Sequence, residues 1–496
     1  MNRFALAVST GIARITGAGL GAYQTAMIRI GFSATWLLFL LREFPHRQEL
    51  YGPEGPWSWN LAEQLISING AFTALMWSDG QFWFETVYLL AVVSSVLLLL
   101  GWRTRTMSVV FMVGVLSLQN RSIFMGDGGD NVLHLMCIYL VFTRCGQVWS
   151  LDERRARRTR EARARGERVV DRVGPALWGV LGLVLVATAF LDRLNGDPFV
   201  PVLLWALWLA QALWWVVGRF TRSGQSRIML DVVADIVHNG ALLVIMTEAC
   251  LIYATAGWYK IQGSRWQDGT AVYYPLHLES FSPWPALADL LSANGVMVML
   301  VTYGTVAVQV AFPFTLFNRR VKNVLLAAMI TEHAVIAVVL GLPFFSLAMI
   351  AADSVFLPTT FLRRLGDGAA RARARLWARF AGVGASGPGP LGRRDPKGQR
   401  GPKRQRDPKG PGGPEDPGGP EGQQGPEGQR GPERQPEPDG QRAPRRPGAP
   451  KEPASAKTPR PADGPGENTD ANPGENADAN PGDPENPDPR HVGFPA

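Results

Sequence analysis

Long apolar runs separated by short polar connections occupy the first 362 residues of the chain. A helix needs about 20 residues to cross roughly 30 Å of hydrocarbon. Ten runs approach this length, at residues 23–42, 84–101, 106–119, 131–144, 174–191, 199–218, 236–258, 293–315, 322–341 and 344–362. The pattern predicts an all-α polytopic transmembrane helical bundle of about ten spans. Nine is the alternative count, because two runs are short and GLPFF alone separates the last two.

Basic residues mark every second connection between the apolar runs. With the N-terminus inside, the cytoplasmic connections are WRTR, residues 152–172, GRFTRSGQSR, FNRRVKN and the segment from RRLGDG onward, and all of them are basic. Cytoplasmic loops carry the excess of Lys and Arg in membrane proteins. We therefore predict a multi-pass protein of the cell membrane with both termini in the cytoplasm. The lipid bilayer is its first expected partner, and residues 1–22 form a cytoplasmic N-terminal segment.

The composition changes after the membrane domain at 23–362. Residues 363–383 are arginine-rich and predict a basic juxtamembrane helix, whereas residues 384–496 are rich in Pro and Gly and poor in apolar side chains. Such a segment has too little apolar surface to fold alone, which predicts a disordered low-complexity tail. The net charge of +8 would suit nucleic acid. Because the arginines stand where topology determinants belong, no nucleic-acid partner is expected.

The three cysteines indicate neither a disulfide framework nor a metal centre. Cys137, Cys145 and Cys250 lie in or beside apolar segments, and none is part of a CxxC or Cys/His ligand spacing. No metal is therefore predicted.

Two polar segments fall on the outer side of the predicted topology. In the first, LQNRSIFMGDGGDNVLHL at 118–135, the candidate site residues are Asn120, Arg121 and Asp130, with Asp127 and Asn131 nearby. The glycines of GDGGD permit tight turns and close backbone approach. An ordinary tight loop explains this segment as well as a site does.

The second polar segment, GWYKIQGSRWQDGTAVYY at 257–274, contains Lys260 among two tryptophans and three tyrosines. One interpretation is an aromatic belt with a lysine that reaches the membrane interface. The other is a catalytic lysine. Aromatic cover would desolvate the amine, lower its pKa and make Lys260 a usable general base.

Ionisable residues inside the predicted spans are further candidates, since such groups usually face a cavity or a partner. Glu248, Thr255 and Tyr259 fall on one face of a helix and form a polar stripe toward the outer side. The other residues of this kind are Arg29, His134, His333 and Asp353. Arg29 paired with Glu248 or Asp353 would be purely structural, whereas the set together would suit an internal polar cavity.

Several of these motifs resemble one known family. GWRTR, LQNR followed by GDGGDN, SLD, YATAGWYKIQGSRWQDGTAVYY and GLPFFSLAMIAADSVFLP occur in succession over roughly residues 20–362. They resemble the HTTM membrane domain that bacterial proteins share with the vitamin K-dependent gamma-carboxylase. The strongest match is a glycine, two residues, a lysine and then a tryptophan, at Gly257, Lys260 and Trp266. The family histidine entering the fourth span has no counterpart in GDGGDN, and the nearest imidazole is His134.

The resemblance implies chemistry at the outer membrane face. In the carboxylase, a lysine at the position of Lys260 deprotonates vitamin K hydroquinone, whose reaction with oxygen yields a strong base. That base removes a γ-proton from glutamate, and the carbanion takes up CO2. For this chain the resemblance implies vitamin K or a menaquinone-type hydroquinone as cofactor and a secreted peptide or protein as substrate.

Three functions are therefore open from the sequence. The first is a quinol-linked redox or carboxylase-like enzyme with Lys260 as base. The second is a non-catalytic helper for maturation or export of a secreted peptide, in which Lys260 is dispensable. The third is a binder or transporter of lipids or small molecules, for which Glu248 and Asp353 matter more than Lys260.

Overall fold

A computed structural model describes residues 3–194, 198–220 and 224–383. The segment at 384–496, for which disorder was predicted, lies outside the described residues. All regular elements of the described part are helical, as the apolar pattern predicts. The α-helices are α1 (Arg3–Gly17), α2 (Ala22–Glu43), α3 (Arg47–Tyr51), α4 (Trp59–Asn69), α5 (Gln81–Leu100), α6 (Thr104–Arg121), α7 (Gly128–Val141), α8 (Leu151–Ala164), α9 (Val173–Phe190), α10 (Phe199–Phe220), α11 (Gly224–Gln262), α12 (Ser264–Gln267), α13 (Tyr273–Leu276), α14 (Pro285–Ser292), α15 (Gly295–Ala311), α16 (Arg319–Val339), α17 (Pro343–Asp353) and α18 (Thr359–Val383).

Short 3-10 turns link several of these helices. They occupy Phe44–His46, Ala74–Trp77, Ile123–Met125, Glu279–Phe281, Phe312–Thr315 and Ser354–Phe356. The turn at Phe44–His46 joins α2 to α3 without a sharp break, so Ala22–Tyr51 is one continuous helical segment that contains an apolar stretch long enough to span a membrane.

Seven helical segments of the described chain are long and apolar enough to cross a membrane. They are Ala22–Tyr51, Gln81–Leu100, Val173–Phe190, Phe199–Phe220, Gly224–Gln262, Gly295–Thr315 and Arg319–Val339. An eighth arises if Pro343–Phe356 and Thr359–Leu376, bent by 118°, form one broken span. About ten spans is therefore not confirmed. The run predicted at 131–144 forms α7, whose 14 residues cover only about 21 Å.

The best-packed region of the molecule surrounds α2. Helices α5, α7 and α17 pack against α2, and α6 packs between α5 and α7. Phe32 and Trp36 on α2, Phe111 on α6 and Met136 on α7 are all buried in this core. Close helix packing is helped at Gly31, where a Cβ would lie 2.5 Å from that of Ala351 on α17.

Helices α9 and α10 form a hairpin at the periphery. Trp178 on α9 stacks on Trp208 on α10, with ring centroids 4.4 Å apart and planes 9° apart. Each indole N–H donates to the backbone carbonyl of the other residue, at 3.1 and 3.0 Å. Most remaining side chains of α9 are exposed or half-buried, as expected for a helix that faces lipid.

Helix α11 extends well beyond the predicted span at 236–258. Its polar N-terminal half is held by partners, because Arg144 forms ion pairs with Asp235 and, at 3.4 Å, with Asp231. The Asn239 carboxamide oxygen accepts from the backbone N–H of Leu20 at 2.7 Å. These contacts explain why one helix of 39 residues forms.

The basic connections gather at one end of the bundle, which we call the basic end. The Arg103 guanidinium forms an ion pair with Asp171, and Arg105 lies 4.8 Å over the Trp214 ring near the end of α10. Lys322 donates to the carbonyl of Phe356, and Arg363 lies 5.5 Å over the Tyr23 ring. The connections predicted to share one side of the membrane therefore share one end of the structure.

Candidate functional site

Helix α11 supplies two functional side chains from one face near its C-terminal end. Tyr253 is buried and Lys260, seven residues later, is half-buried, so two helical turns separate them on the same side. Gly257 lies between them, and a Cβ there would lie 2.6 Å from Cγ2 of Val310. The absence of a side chain at Gly257 thus lets α15 approach this face.

Helices α15, α16 and α17 bring further polar groups to the same place. The Tyr253 hydroxyl and His333 Nε2 are 3.1 Å apart, in hydrogen-bond contact. The Gln309 amide donates to Glu332 Oε1 at 2.8 Å. Asp353, at the end of α17, interacts electrostatically with Tyr253 and Glu332. We call the set Tyr253, Lys260, Glu332, His333 and Asp353 the acid–base cluster.

Several polar atoms of the cluster lack hydrogen-bond partners. Asp353 is fully buried, and neither of its carboxylate oxygens makes a hydrogen bond of good geometry with a described residue, although the Tyr253 side chain lies close enough to interact with them. His333 is only 2% exposed, and its Nδ1 atom also has no hydrogen-bond partner among the described residues. Buried polar atoms without partners are costly and rare in folded proteins. Such atoms are therefore available for protons, water or a substrate.

Lys260 forms the boundary of the cluster toward the surface. Its Nζ lies 5.2 Å from the centroid of the Trp266 ring, which gives the ammonium a cation–π partner. A tight turn places the ring, because the N–H of Trp266 donates to the carbonyl of Gly263 at 3.0 Å. Glu332 attracts the charge of Lys260 electrostatically, yet no carboxylate oxygen of the described residues lies within 4 Å of Nζ. The amine of Lys260 is thus shielded by the Trp266 ring but forms no close ion pair with a described residue.

The polar segment at 118–135 lines a separate cavity of about 380 Å³, the Asp130 cavity. Of the predicted site residues, Asn120, Asp130 and His134 line it. The Gln119 amide bridges two of them, since its oxygen is 3.0 Å from His134 Nδ1 and its nitrogen donates to the Asp130 carbonyl at 3.2 Å. Trp36 and Tyr51 form an aromatic wall of the same cavity.

Asp130 also has a structural role at the start of α7. The Asp127 carboxylate accepts from the N–H groups of Gly129 and Asp130, while the Asp130 carboxylate accepts from the N–H of Asp127. GDGGD is therefore a helix-capping sequence. Burial raises the pKa of Asp130 to about 6, because a low-dielectric setting disfavours the charged form.

Arg121 and Arg29, two of the residues singled out in the sequence, make structural contacts and line neither site. Arg121 is 1% exposed and donates to the carbonyls of Gly52 and Trp57 at 3.1 and 2.9 Å. It is absent from the residues lining the Asp130 cavity. Arg29 pairs with neither Glu248 nor Asp353, and that prediction is wrong. It donates to the backbone carbonyls of four residues, Leu98, Leu99, Cys145 and Trp149.

The predicted stripe of Glu248, Thr255 and Tyr259 does not face a cavity. Tyr259 is 74% exposed, Thr255 is exposed, and Glu248 is half-buried. The Thr255 hydroxyl donates to carbonyls of its own helix. The inward face of α11 is instead the one that carries Tyr253 and Gly257.

Three residues near the site were not among the predicted ones. Tyr253 and Gln309 are uncharged residues inside apolar runs, whereas Glu332 is an ionisable residue next to His333 and meets the criterion that selected His333. Only the packing of α11, α15 and α16 brings the three together. Gly257 is a further local hint, because a glycine in a helix interior needs a packing reason.

No arrangement in the described residues places three or more His, Cys, Asp or Glu side chains where they could hold a metal ion. Lys260, Trp266 and the exposed aromatics beside them could contact a flat, lipophilic cofactor. No family model matches the chain, and no characterised protein or solved structure gives a significant match.

Proposed function

We propose that the protein is a membrane enzyme of acid–base chemistry on a lipophilic hydroxylated substrate of the quinol class, with Lys260 as proton acceptor. The observation that carries this proposal is the convergence of Tyr253, Lys260, Glu332, His333 and Asp353 from three helices. Ionisable groups within membrane spans are expensive and mark functional sites. The motif around Gly257, Lys260 and Trp266, which resembles that of the HTTM domain, supports the same assignment.

In this mechanism Lys260 Nζ accepts a proton from a hydroxyl of the substrate. Trp266 covers the amine and keeps it from bulk water, and Glu332 stabilises the ammonium that forms. His333 and Tyr253, already in contact, can pass a proton inward toward Asp353. A bound hydroquinone supplies an acidic hydroxyl and reducing electrons at this position, which is the chemistry that the resemblance to the gamma-carboxylase implies.

The Asp130 cavity is a second place where a small molecule can bind. Its volume of about 380 Å³ falls within the size range of ligand pockets, and it combines apolar walls with a few polar groups.

The proposal includes the finer topology, with ten spans and both termini in the cytoplasm. Helices α6, α7 and α17 cross inside the bundle, where protein rather than lipid surrounds them, so they need be neither long nor wholly apolar. The gathering of all basic connections at the basic end supports this arrangement. Thiol labelling of Ser264→Cys and Arg160→Cys, both at exposed positions, tests it. Labelling of both from the same side contradicts it.

The enzyme assignment is tested by hydroquinone oxidation and epoxidation in membranes that carry the wild type or Lys260→Ala. Loss of a general base typically lowers turnover by about 10²–10⁴-fold. Arg265→Gln is the matched control, because Arg265 is a neighbouring cation that also lies over an aromatic ring, that of Tyr274 at 4.8 Å. No turnover by the wild type with vitamin K or menaquinone-type hydroquinones, or full activity of Lys260→Ala, refutes the assignment.

The fully buried Asp353, whose carboxylate oxygens make no hydrogen bond of good geometry with the described residues, favours a second candidate function, transport of protons or another cation through the bundle. In a transporter, Asp353→Asn abolishes uptake into vesicles while Lys260→Ala leaves it intact. In the enzyme, Lys260→Ala has the larger effect. The two variants therefore distinguish the two functions.

A further inference from the structure

The basic end contains a second cavity that the chemistry at Lys260 does not use. It measures about 630 Å³, and its lining includes Trp102, Leu151, Arg154, Arg155, Arg158 and Arg165. We infer that this cavity binds the headgroup of an anionic phospholipid. The inference is independent of the proposed enzymatic function.

Only two of the four arginines that line the cavity have a carboxylate partner within 4 Å among the described residues. Arg155 is paired with Asp152 at 3.1 Å, and Arg165 with Glu167 at 2.7 Å. Arg154 and Arg158 have no carboxylate within 4 Å among the described residues, and both are exposed. Four residues separate them, so they lie on the same face of α8, and both line the cavity. Two adjacent guanidinium groups of this kind suit a phosphate, which accepts bidentate hydrogen bonds.

Glu161 also lines the cavity and is the one acidic residue there. Its carboxylate lies 3.9 Å from the guanidinium of Arg157, on the same helix. The acidic side chain therefore has its own partner, and the excess of positive charge in the cavity remains.

The position of the cavity favours a lipid over a soluble phosphate. Trp102 lies two residues after α5, an apolar helix that ends at Leu100, and Val169 lies four residues before α9, which begins at Val173. Both helices are long and apolar enough to cross the membrane. The cavity is thus at the level where one span ends and another begins, which is where phospholipid headgroups lie. Tryptophan is enriched at this level of membrane proteins.

The apolar lining suits the part of a lipid that adjoins the headgroup. Leu151 and Val169 are 37% and 42% exposed and stand beside the arginines. A soluble anion would leave the apolar side chains of Leu151 and Val169 exposed to water, whereas the glycerol and first acyl carbons of a lipid would cover them. Charge and apolar surface together therefore indicate one amphipathic ligand.

Native mass spectrometry of the full-length protein tests the inference, after release from micelles with equal amounts of phosphatidylglycerol and phosphatidylcholine. The wild type should retain phosphatidylglycerol in preference to phosphatidylcholine. Arg154→Gln with Arg158→Gln should weaken this retention about thirtyfold, since each arginine near an anionic lipid contributes roughly fivefold. Arg154→Lys with Arg158→Lys should restore most of it, because the charge returns without the bidentate geometry.

The matched control is Arg160→Gln with Arg163→Gln. Both residues are exposed on the same helix and do not line the cavity, so retention should stay within about twofold of wild type. Equal losses in the two double variants would mean diffuse charge attraction and overturn the site. Unchanged retention in Arg154→Gln with Arg158→Gln would overturn it too. Displacement of phosphatidylglycerol by inorganic phosphate would assign the cavity to a soluble anion instead.

Discussion

Arg29 and Asp353 are both fully buried in the same bundle, but their surroundings differ completely. The guanidinium of Arg29 donates four hydrogen bonds to backbone carbonyls, at 2.6 to 3.2 Å. The carboxyl group of Asp353 makes no hydrogen bond of good geometry in the described part of the chain, although the Tyr253 side chain lies close to it. A satisfied buried charge holds structure together, whereas a buried ionisable group with unsatisfied oxygens is costly to keep and points to function.

Arg29 should therefore dominate stability. We expect Arg29→Met to lower the free energy of unfolding by about 3 kcal/mol or more, because several buried carbonyls lose their donor at once. Thermal unfolding in detergent measures this change. Arg157→Met is the control, since Arg157 is exposed on α8 and should change stability by less than about 0.5 kcal/mol. Equal stability of the two variants would contradict the contrast between Arg29 and Asp353.

Asp353 should show the opposite behaviour. Asp353→Asn preserves the shape of the side chain and removes a buried acid, so the unfolding temperature should stay the same or rise. Hydroquinone turnover should fall about tenfold or more, since the proton path loses its inner acceptor. Glu248→Gln, a half-buried acid on the opposite side of α11, should retain turnover within about twofold. A destabilised but active Asp353→Asn would assign Asp353 to structure.

Trp266, at the edge of the acid–base cluster, should affect turnover less than Asp353 does. Trp266→Leu keeps an apolar cover but removes the cation–π contact with Lys260, which is worth about 0.5–1 kcal/mol at an exposed site. We expect a change of about two- to fivefold in turnover and a shift in its pH profile, with little change in stability. An unaltered pH profile would show that the ring does not influence the amine.

The partly exposed ion pair of Arg103 and Asp171 should have the smallest effect on stability. The Arg103 guanidinium lowers the pKa of Asp171 to about 2. The pair therefore stabilises the fold above the ordinary aspartate pKa of about 3.8, and this contribution is lost as the pH falls toward 2. Because the Asp171 side chain is half-exposed, the effect should stay below about 1 kcal/mol. The difference in melting temperature between wild type and Asp171→Asn should shrink from pH 5.5 to pH 2.5.

The apolar pattern predicts where most helices lie. The run at 199–218 forms Phe199–Phe220, and the run at 84–101 forms Gln81–Leu100. The last run, 344–362, is broken, because Pro358 has no N–H to continue the helix and α18 turns away by 118°. The N-terminal extension of α11 is stabilised by the ion pair between Arg144 and Asp235 and by the hydrogen bond between Asn239 and Leu20. Local hydropathy cannot predict contacts between residues so far apart in the chain.

The site is only partly predictable for the same reason. Lys260 and Trp266 stand close together in the chain, so their contact follows from a local turn. The spacing of Glu248, Thr255 and Tyr259 gives their mutual angles correctly, but it does not say which face of α11 turns inward. That choice depends on the close contact between Gly257 and Val310, and Glu332 joins the cluster only through the packing of α16.

The hydrogen bonds of Arg29 also constrain the order in which the protein is made. Its first two acceptors, Leu98 and Leu99, are synthesised 69 and 70 residues later, and Cys145 and Trp149 follow after 116 and 120 residues. During translation Arg29 therefore lacks part of its set of acceptors until the chain has been synthesised through Trp149. Helix α2 has all four contacts only after that point, so a nascent chain stopped before residue 149 should be more sensitive to membrane quality control.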